Sequence, residues 1–117
     1  MEKVNIEWHG MELDGELYCV VANDVDLKQW GIDSVMPAGF MSDGMSIPKF
    51  FWRWLSPKIA PVTLSPSIVH DWLYYSHVMP REDADIWYRN ALIANGYPKL
   101  KAYLCYAGLR LFGERHW

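Results

Sequence analysis

The hydrophobic pattern of the sequence changes its period near residue 46, and this change most constrains the fold. Up to that point, apolar residues alternate with polar ones between turn residues, which is typical of β-strands. Beyond it, apolar residues recur three and four positions apart, as on one face of an α-helix. The sequence therefore predicts an α+β protein. A small N-terminal β-sheet or hairpin, mainly β over residues 1–46, is followed by three to four helices over residues 47–117.

The N-terminal part predicts a β-hairpin. Val4, Ile6 and Trp8 alternate with polar neighbours, which indicates a strand with one buried face. After an Asp-Gly turn, residues 17–21 are typical of a second strand that pairs with the first. Two further short extended pieces are predicted, at residues 34–36 and 40–41.

Prolines mark the starts of the predicted helices. Proline is favoured in the first turn of a helix, because its missing N–H group needs no partner there. The predicted helices begin near Pro48, Pro66, Pro80 and Pro98, and they end near Pro57, His77, Gly96 and Gly113. The last helix is expected to bury one apolar face, made of Leu100, Tyr103, Leu104, Ala107 and Leu111.

Composition bounds the class of protein. A chain of 117 residues is expected to form one domain, and 51% hydrophobic against 21% charged residues excludes general disorder. The net charge of −3 argues against a nucleic-acid partner, which needs a basic surface. No apolar run approaches the roughly 18 residues of a membrane span, so no transmembrane segment is expected. The N-terminus lacks a signal peptide's apolar core, and Cys19 and Cys105 are expected to be reduced core thiols.

Seven tryptophans in so short a chain are expected to fill much of the core. The sheet is predicted to pack on the helices through Val4, Ile6, Trp8, Trp52, Trp72 and Trp87.

The loop that joins the sheet to the helices is the first segment that can carry chemistry. Residues 42–48 are Ser-Asp-Gly-Met-Ser-Ile-Pro. Asp43 and the carbonyl groups near Gly44 are oxygen donors of the kind that bind a hard cation such as calcium. The alternative, which the residues by themselves favour, is that Asp43 and Ser46 cap the turn and the following helix.

A polar arc on the second predicted helix is another candidate. At 100° per residue, His70, Asp71 and Tyr74 lie together, and His70 and Tyr74 can touch because they are four residues apart. A histidine and a carboxylate side by side can divide the roles of base and cation ligand. The alternative is a solvated polar face. The apolar face of this helix is predicted to contain Val69, Trp72, Leu73 and Ser76.

Asp85 lies at the edge of the apolar stripe on the next helix, where a carboxylate needs a partner. The short connection over residues 78–80 predicts an antiparallel helix pair, which brings Asp85 close to His70. A carboxylate bound to one imidazole nitrogen fixes the tautomer and leaves the other nitrogen able to accept a proton. Arg89, four residues further along, is an equally good partner for Asp85.

Three ordered motifs resemble a family of small phage and prophage proteins classed as a domain of unknown function. They are Gly-Phe-Met-Ser-Asp-Gly-Met-Ser-Ile-Pro at residues 39–48, His-Asp-Trp-Leu-Tyr at 70–74 and Ala-Asp at 84–85. The resemblance covers roughly residues 35–117. It implies a phage origin, with residence in the host cytoplasm or the virion. It also implies phage structural proteins, a host factor or lipid as partners, and it brings no settled activity.

The His-Asp-x-x-Tyr spacing is also similar to that of phospholipase A2. That resemblance implies that His70 activates water, Asp85 orients His70, and Tyr74 holds Asp85. It further implies calcium as cofactor, with three ligand positions, at Asp71, Asp43 and Gly44.

Two functional hypotheses follow, and a third is disfavoured. The first is a metal-assisted ester hydrolase that uses His70 and Asp85. The second is a non-enzymatic virion, tail or host-interaction protein in which the same polar residues connect the helices. A His-Asp phosphohydrolase would be wholly helical and would need His9 as a ligand from a strand, which this sequence does not favour.

Overall fold

The computed structural model describes residues 1–42 and 61–117. Within these ranges, short antiparallel strands precede three α-helices, so the predicted α+β fold is confirmed. The strands are β1 (Trp8–Leu13), β2 (Glu16–Val21), β3 (Val25–Asp26), β4 (Val35–Met36) and β5 (Met41–Ser42). The α-helices are α1 (Pro61–Ser76), α2 (Arg81–Ala94) and α3 (Lys99–Phe112), and 3₁₀ turns span Leu27–Trp30 and Gly113–His116. The predicted helix over residues 48–57, Trp52, and the loop residues Asp43, Gly44 and Ser46 lie outside the described residues.

The hairpin predicted from the alternating pattern is present, with a shifted first strand. β1 and β2 pair antiparallel through an Asp14–Gly15 turn with φ values of 52° and 81°, and β5 adds to β2. Val4 and Ile6 are buried as expected but precede β1. Their N–H groups donate to side chains at the helices, from Val4 to Asn95 Oδ1 (2.7 Å) and from Ile6 to Ser65 Oγ (3.1 Å).

The prediction that Trp8 packs on the helices is wrong. Trp8 is 41% exposed, and every residue of β1 is exposed. β1 is an edge strand, and the neighbouring strand β2 supplies the core residues Cys19, Val20 and Val21. Trp72 is half-buried, whereas Trp87 is buried and joins the two halves by donating from Nε1 to the carbonyl of Trp30 (2.9 Å).

Helix α1 begins at Pro61, five residues before the predicted start at Pro66, so that Pro66 lies inside it. Proline has no N–H group to donate to the carbonyl four residues back. That carbonyl belongs to Val62, and Asn95 Nδ2 donates to it instead (3.1 Å). The side chain of Asn95 thus compensates for the missing backbone hydrogen bond. Helices α2 and α3 begin directly after Pro80 and Pro98, as predicted.

The predicted orientation of α3 is also wrong. Its large apolar residues face outward, with Leu100 at 74% and Leu111 at 72% exposure. The buried side of α3 instead presents small residues together with one leucine: Ala102, Cys105, Gly108 and Leu109. Small side chains let two helices approach closely. The prediction from the sequence instead assigned the largest apolar residues to the buried face. Tyr103, Leu104 and Ala107 are exposed as well.

One core connects the strands with the three helices. Its largest fully buried side chains come from both halves of the chain and include Tyr88, Leu27, Ile32, Met36, Ile68, Leu73 and Leu92. Cys19 and Cys105 are both buried, and no disulfide joins them. Among the described residues, no helix combines the length and apolar character that a membrane crossing requires.

Candidate functional site

The candidate site lies between α1 and α2. His70 and Tyr74 are one turn apart on α1, and Asp85 lies one turn into α2. A short connection between the helices makes them antiparallel neighbours, which is how His70 and Asp85 meet. All three side chains are buried, with His70 at 2%, Asp85 at 0% and Tyr74 at 6% exposure.

One carboxylate oxygen of Asp85 serves both residues of α1. His70 Nε2 lies 2.9 Å from Asp85 Oδ1, and the Tyr74 hydroxyl donates to the same oxygen at 2.6 Å. The predicted His70–Asp85 hydrogen bond is therefore present. Arg89, the alternative partner, instead places its guanidinium over the rings of Tyr103 and Tyr106. The catalytic roles of His70, Tyr74 and Asp85 stay predictions.

The other oxygen of Asp85 faces two arginines that the sequence analysis did not assign to the site. Arg110 Nη1 of α3 donates to Asp85 Oδ2 at 3.0 Å. Arg81 Nη1 lies 3.9 Å from the same oxygen and donates to the carbonyl of Leu109 (3.0 Å). Arg81 was detectable from its spacing, four residues before Asp85. Arg110 had no comparable signal, because its contact depends on how α3 is rotated against α2.

The electrostatics favour an ionised Asp85 beside a neutral His70. Burial alone would raise the pKa of Asp85, but hydrogen bonds from His70, Tyr74 and Arg110 lower it below its usual value. Burial lowers the pKa of His70 and outweighs the attraction of Asp85. Burial and the hydrogen bond to Asp85 raise the pKa of Tyr74, so its hydroxyl stays a donor. Against an ionised Asp85, the proton of neutral His70 resides on Nε2, and Nδ1 is the basic nitrogen.

Aromatic rings fix the orientation of the imidazole. The His70 ring lies 4.4 Å from the Tyr74 ring and 4.8 Å from the Tyr88 ring, measured between centroids. The hydroxyl of Tyr88 shares a hydrogen bond with Ser67 Oγ (3.0 Å), and the rings of Tyr74 and Trp117 pack at right angles. These contacts leave the imidazole little rotational freedom, so the hydrogen bond to Asp85 is preorganised.

Asp71, the predicted calcium ligand of α1, contacts the sheet. Its Oδ2 accepts a hydrogen bond from Ser42 Oγ of β5, which joins the end of the sheet to α1. Carboxylate and hydroxyl oxygens are donors that suit calcium. Within residues 1–42 and 61–117, however, no three His, Cys, Asp or Glu side chains come together as a metal site. The other predicted calcium ligands, Asp43 and Gly44, lie outside the described residues, so these ranges do not form a complete calcium site.

Comparison with known proteins gives a family and no activity. A family model described as "Protein of unknown function (DUF1353)" matches residues 20–109, which is most of the chain. No curated protein and no solved structure matches the chain. The matched range includes β5, all of α1 and α2, and therefore His70, Tyr74 and Asp85. The chain accordingly belongs to the DUF1353 family of proteins of unknown function.

Proposed function

We propose that this protein is an ester hydrolase in which His70 is the general base. The observation that carries the proposal is the pair of hydrogen bonds at Asp85 Oδ1, from His70 Nε2 at 2.9 Å and from Tyr74 at 2.6 Å. Together they hold the imidazole in one tautomer with Nδ1 unprotonated. A carboxylate that orients the imidazole and stabilises the imidazolium is a recurring arrangement in hydrolysis.

The reaction needs one water molecule and one ester. His70 Nδ1 accepts a proton from water while the water oxygen forms a bond to the ester carbonyl carbon. The tetrahedral intermediate then expels the alcohol, and the imidazolium returns its proton to the leaving oxygen. Asp85 stays ionised throughout and stabilises the transient charge on His70, and Tyr74 and Arg110 keep Asp85 in place.

Calcium binding and a phage origin belong to the same proposal. Asp71, Asp43 and Gly44 are the proposed calcium ligands, supported by the oxygen chemistry of Asp71 and Ser42 at the end of the sheet. Calcium would supply charge stabilisation for the developing oxyanion. We further propose that the protein is a phage accessory protein of the host cytoplasm or the virion, which the three sequence motifs support.

The test of the proposal is an esterase assay with matched histidine variants. The purified chain is assayed on a short-chain nitrophenyl ester and on phospholipid in mixed micelles, with and without millimolar calcium. His70→Ala should lower turnover by about 10²–10⁴-fold, which is the usual cost of removing a general base. His9→Ala, on the exposed strand β1, should leave it unchanged. Absence of hydrolysis by the wild type on both substrates, or full activity in folded His70→Ala, would overturn the proposal.

A second function, without catalysis, is favoured by the burial of the same residues. Asp85 of α2 connects His70 and Tyr74 of α1 with Arg110 of α3, and neither His70 nor Asp85 is more than 2% exposed. Such a cluster can specify how three helices pack. The protein would then act through its surface on a phage structural protein or a host factor. Under this alternative, His70→Ala lowers the free energy of unfolding, and neither protein hydrolyses any ester.

A further inference from the structure

The outward side of α3 is apolar along its whole length. It consists of residues spaced three and four positions apart, which we call the outer face: Leu100, Tyr103, Leu104, Ala107 and Leu111. Leu100 and Leu111 are 74% and 72% exposed, and Tyr103 and Leu104 are each exposed by more than 40%. A continuous apolar stripe of this kind on a protein surface marks an interaction site, unlike single exposed apolar residues.

The charged residues of helix α3 have one sign. The helix carries Lys99, Lys101 and Arg110 and not a single Asp or Glu in its 14 residues. Arg110 is paired with Asp85 of the site, so Lys99 and Lys101 are the α3 cations available beside the outer face. The whole chain, by contrast, has 14 acidic against 11 basic residues and a net charge of −3. Arg89 of α2 adds a further cation, since its guanidinium lies 4.6 Å from the ring centroid of Tyr103. Positive charge is therefore concentrated at an apolar face of an otherwise acidic protein.

We propose that the outer face of α3 docks on a lipid bilayer surface that carries anionic headgroups. Leucines on one side of a helix with lysines beside them are suited to lie in the interface, apolar side toward the acyl chains. Lys99 and Lys101 would meet the lipid phosphates at the start of the helix. This inference goes beyond the proposed hydrolase and does not rest on it, because none of these side chains contacts His70 or Asp85 in the hydrogen bonds of the site.

Charge and shape favour a lipid surface over a second copy of the chain. A two-fold dimer centred on the outer face would set Lys99 and Lys101 of one copy against the same lysines of the other if the two α3 helices were parallel. If the helices were antiparallel, these lysines would face the end of the helix that carries Arg110. Cations meet in both arrangements, and like charges at close range are unfavourable. A helix presents a convex surface, which needs a complementary groove on a protein partner. A bilayer adapts to a convex apolar surface and supplies the negative charge.

The test is co-sedimentation with vesicles of two compositions. Vesicles of phosphatidylcholine mixed with phosphatidylglycerol should bind the wild-type chain, and binding should weaken as salt rises, since charge attraction is screened. Vesicles of phosphatidylcholine alone should bind it much less. The double variant Leu100→Ser/Leu111→Ser should lose at least about tenfold in partition, because both apolar side chains leave the interface. Lys99→Gln and Lys101→Gln should each lose about fivefold.

Matched variants separate this surface from nonspecific adhesion. Leu13→Ser on β1 and Val35→Ser on β4 remove exposed apolar side chains elsewhere and should leave partition unchanged. Far-ultraviolet circular dichroism verifies that each variant is folded, and His70→Ala should bind vesicles as the wild type does. The proposal is overturned by equal binding to both vesicle types, or by equal losses in the β1 and β4 variants. It is also overturned by an α3-dependent dimer in sedimentation velocity, or by failure to bind anionic vesicles at low salt.

Discussion

A Cβ atom built on Gly113 would lie 2.7 Å from the hydroxyl oxygen of Tyr74. Gly113 follows the last residue of α3 and has helical backbone angles (φ −71°, ψ −15°), so its dihedral angles do not require glycine. What requires glycine is the close approach of Tyr74, whose hydroxyl donates to Asp85. The end of α3 thus sets the space in which the Tyr74–Asp85 hydrogen bond forms.

We therefore predict that Gly113→Ala destabilises the protein and weakens the site. Alanine favours the folded state by about 0.4–1 kcal/mol when the backbone tolerates it. Here the new methyl group would have to displace Tyr74, whose ring is held in place by the rings of His70 and Trp117. Overpacking of this kind costs about 1–3 kcal/mol. The expected net result is a lower free energy of unfolding in urea titration.

The control is the same substitution in a Tyr74→Phe background. Without the hydroxyl oxygen, the nearest remaining Tyr74 atom is ring carbon Cζ, 3.5 Å from the added Cβ, which is an ordinary contact. Arg81 Nη1 at 3.2 Å is the end of a flexible side chain and can shift. Gly113→Ala should then be neutral or stabilising. Additive effects of the two substitutions would contradict the proposed contact.

The second prediction concerns the charge of Asp85. Asp85→Asn keeps the shape of the side chain but removes the negative charge that Arg110 and His70 contact. Because Arg110 is 30% exposed and His70 is neutral, the loss is that of a hydrogen bond to a charged group, about 1.5–3 kcal/mol. Asp83→Asn, on the exposed side of the same helix, should change the free energy of unfolding by less than about 0.5 kcal/mol. Equal effects of the two substitutions in chemical denaturation would show that Asp85 has no special structural role.

The sequence predicted the local part of this site because the required contacts are close along the chain. His70 and Tyr74 are one turn apart, and a connection too short for anything but an antiparallel helix pair brings Asp85 to them. Arg110 could not be predicted in the same way. Its contact with Asp85 spans 25 residues and depends on the rotation of α3 about its own axis.

The predicted rotation of α3 about its own axis was wrong for a physical reason. A hydrophobic stripe predicts the buried face when burial of area decides the packing. In α3 the packing is decided by close approach, for which Ala102, Cys105 and Gly108 are the suitable residues. The predicted first strand was misplaced for a related reason. Val4 and Ile6 are buried, but their N–H groups bond to side chains of the helical half and not to a neighbouring strand. An alternating pattern of apolar residues does not distinguish these two cases.

The third prediction is a loss of stability in mild acid. The pKa of His70 is lower in the folded protein than its ordinary value of 6.5, because burial disfavours the imidazolium. Above pH 6.5 both states are neutral at this residue. As the pH falls below 6.5, the unfolded chain takes up a proton that folded His70 does not, so the unfolded state gains stability. The free energy of unfolding should fall by up to about 1.4 kcal/mol per pH unit in this window.

A variant of His70 identifies the source of that pH dependence. His70→Gln removes the buried titrating group, so the slope below pH 6.5 should flatten. The free energy of unfolding should decline further below pH 3.8. The pKa of Asp85 is lowered in the folded state, so the carboxylate of the unfolded chain takes up a proton first and the unfolded state gains stability. An unchanged slope in His70→Gln, measured by urea titration at pH 5, 6 and 7, would be incompatible with a buried neutral His70.

The last prediction concerns calcium at the end of the sheet. If Asp71 is a ligand, calcium binds the folded state and not the unfolded chain, so it raises the free energy of unfolding. At 100 times the dissociation constant the gain is about 2.7 kcal/mol. For 117 residues this corresponds to a rise in Tm of roughly 10 °C. Differential scanning calorimetry with and without calcium measures it.

The quantity compared among variants is the rise in Tm that calcium causes, which we call the calcium increment. Because each variant is compared with itself without calcium, changes in its baseline stability cancel. Asp71→Asn should reduce the increment, because one ligand charge is lost, even though it also perturbs the hydrogen bond from Ser42. Asp83→Asn should keep the full increment, since it changes the same net charge at an exposed position of α2. His70→Ala should also keep it, because the imidazole is assigned to proton transfer and not to the metal. A Tm that is equally flat in calcium, magnesium and zinc for the wild type would remove calcium from the proposal. If calcium raised the Tm of Asp71→Asn as much as that of the wild type, Asp71 would not be a calcium ligand.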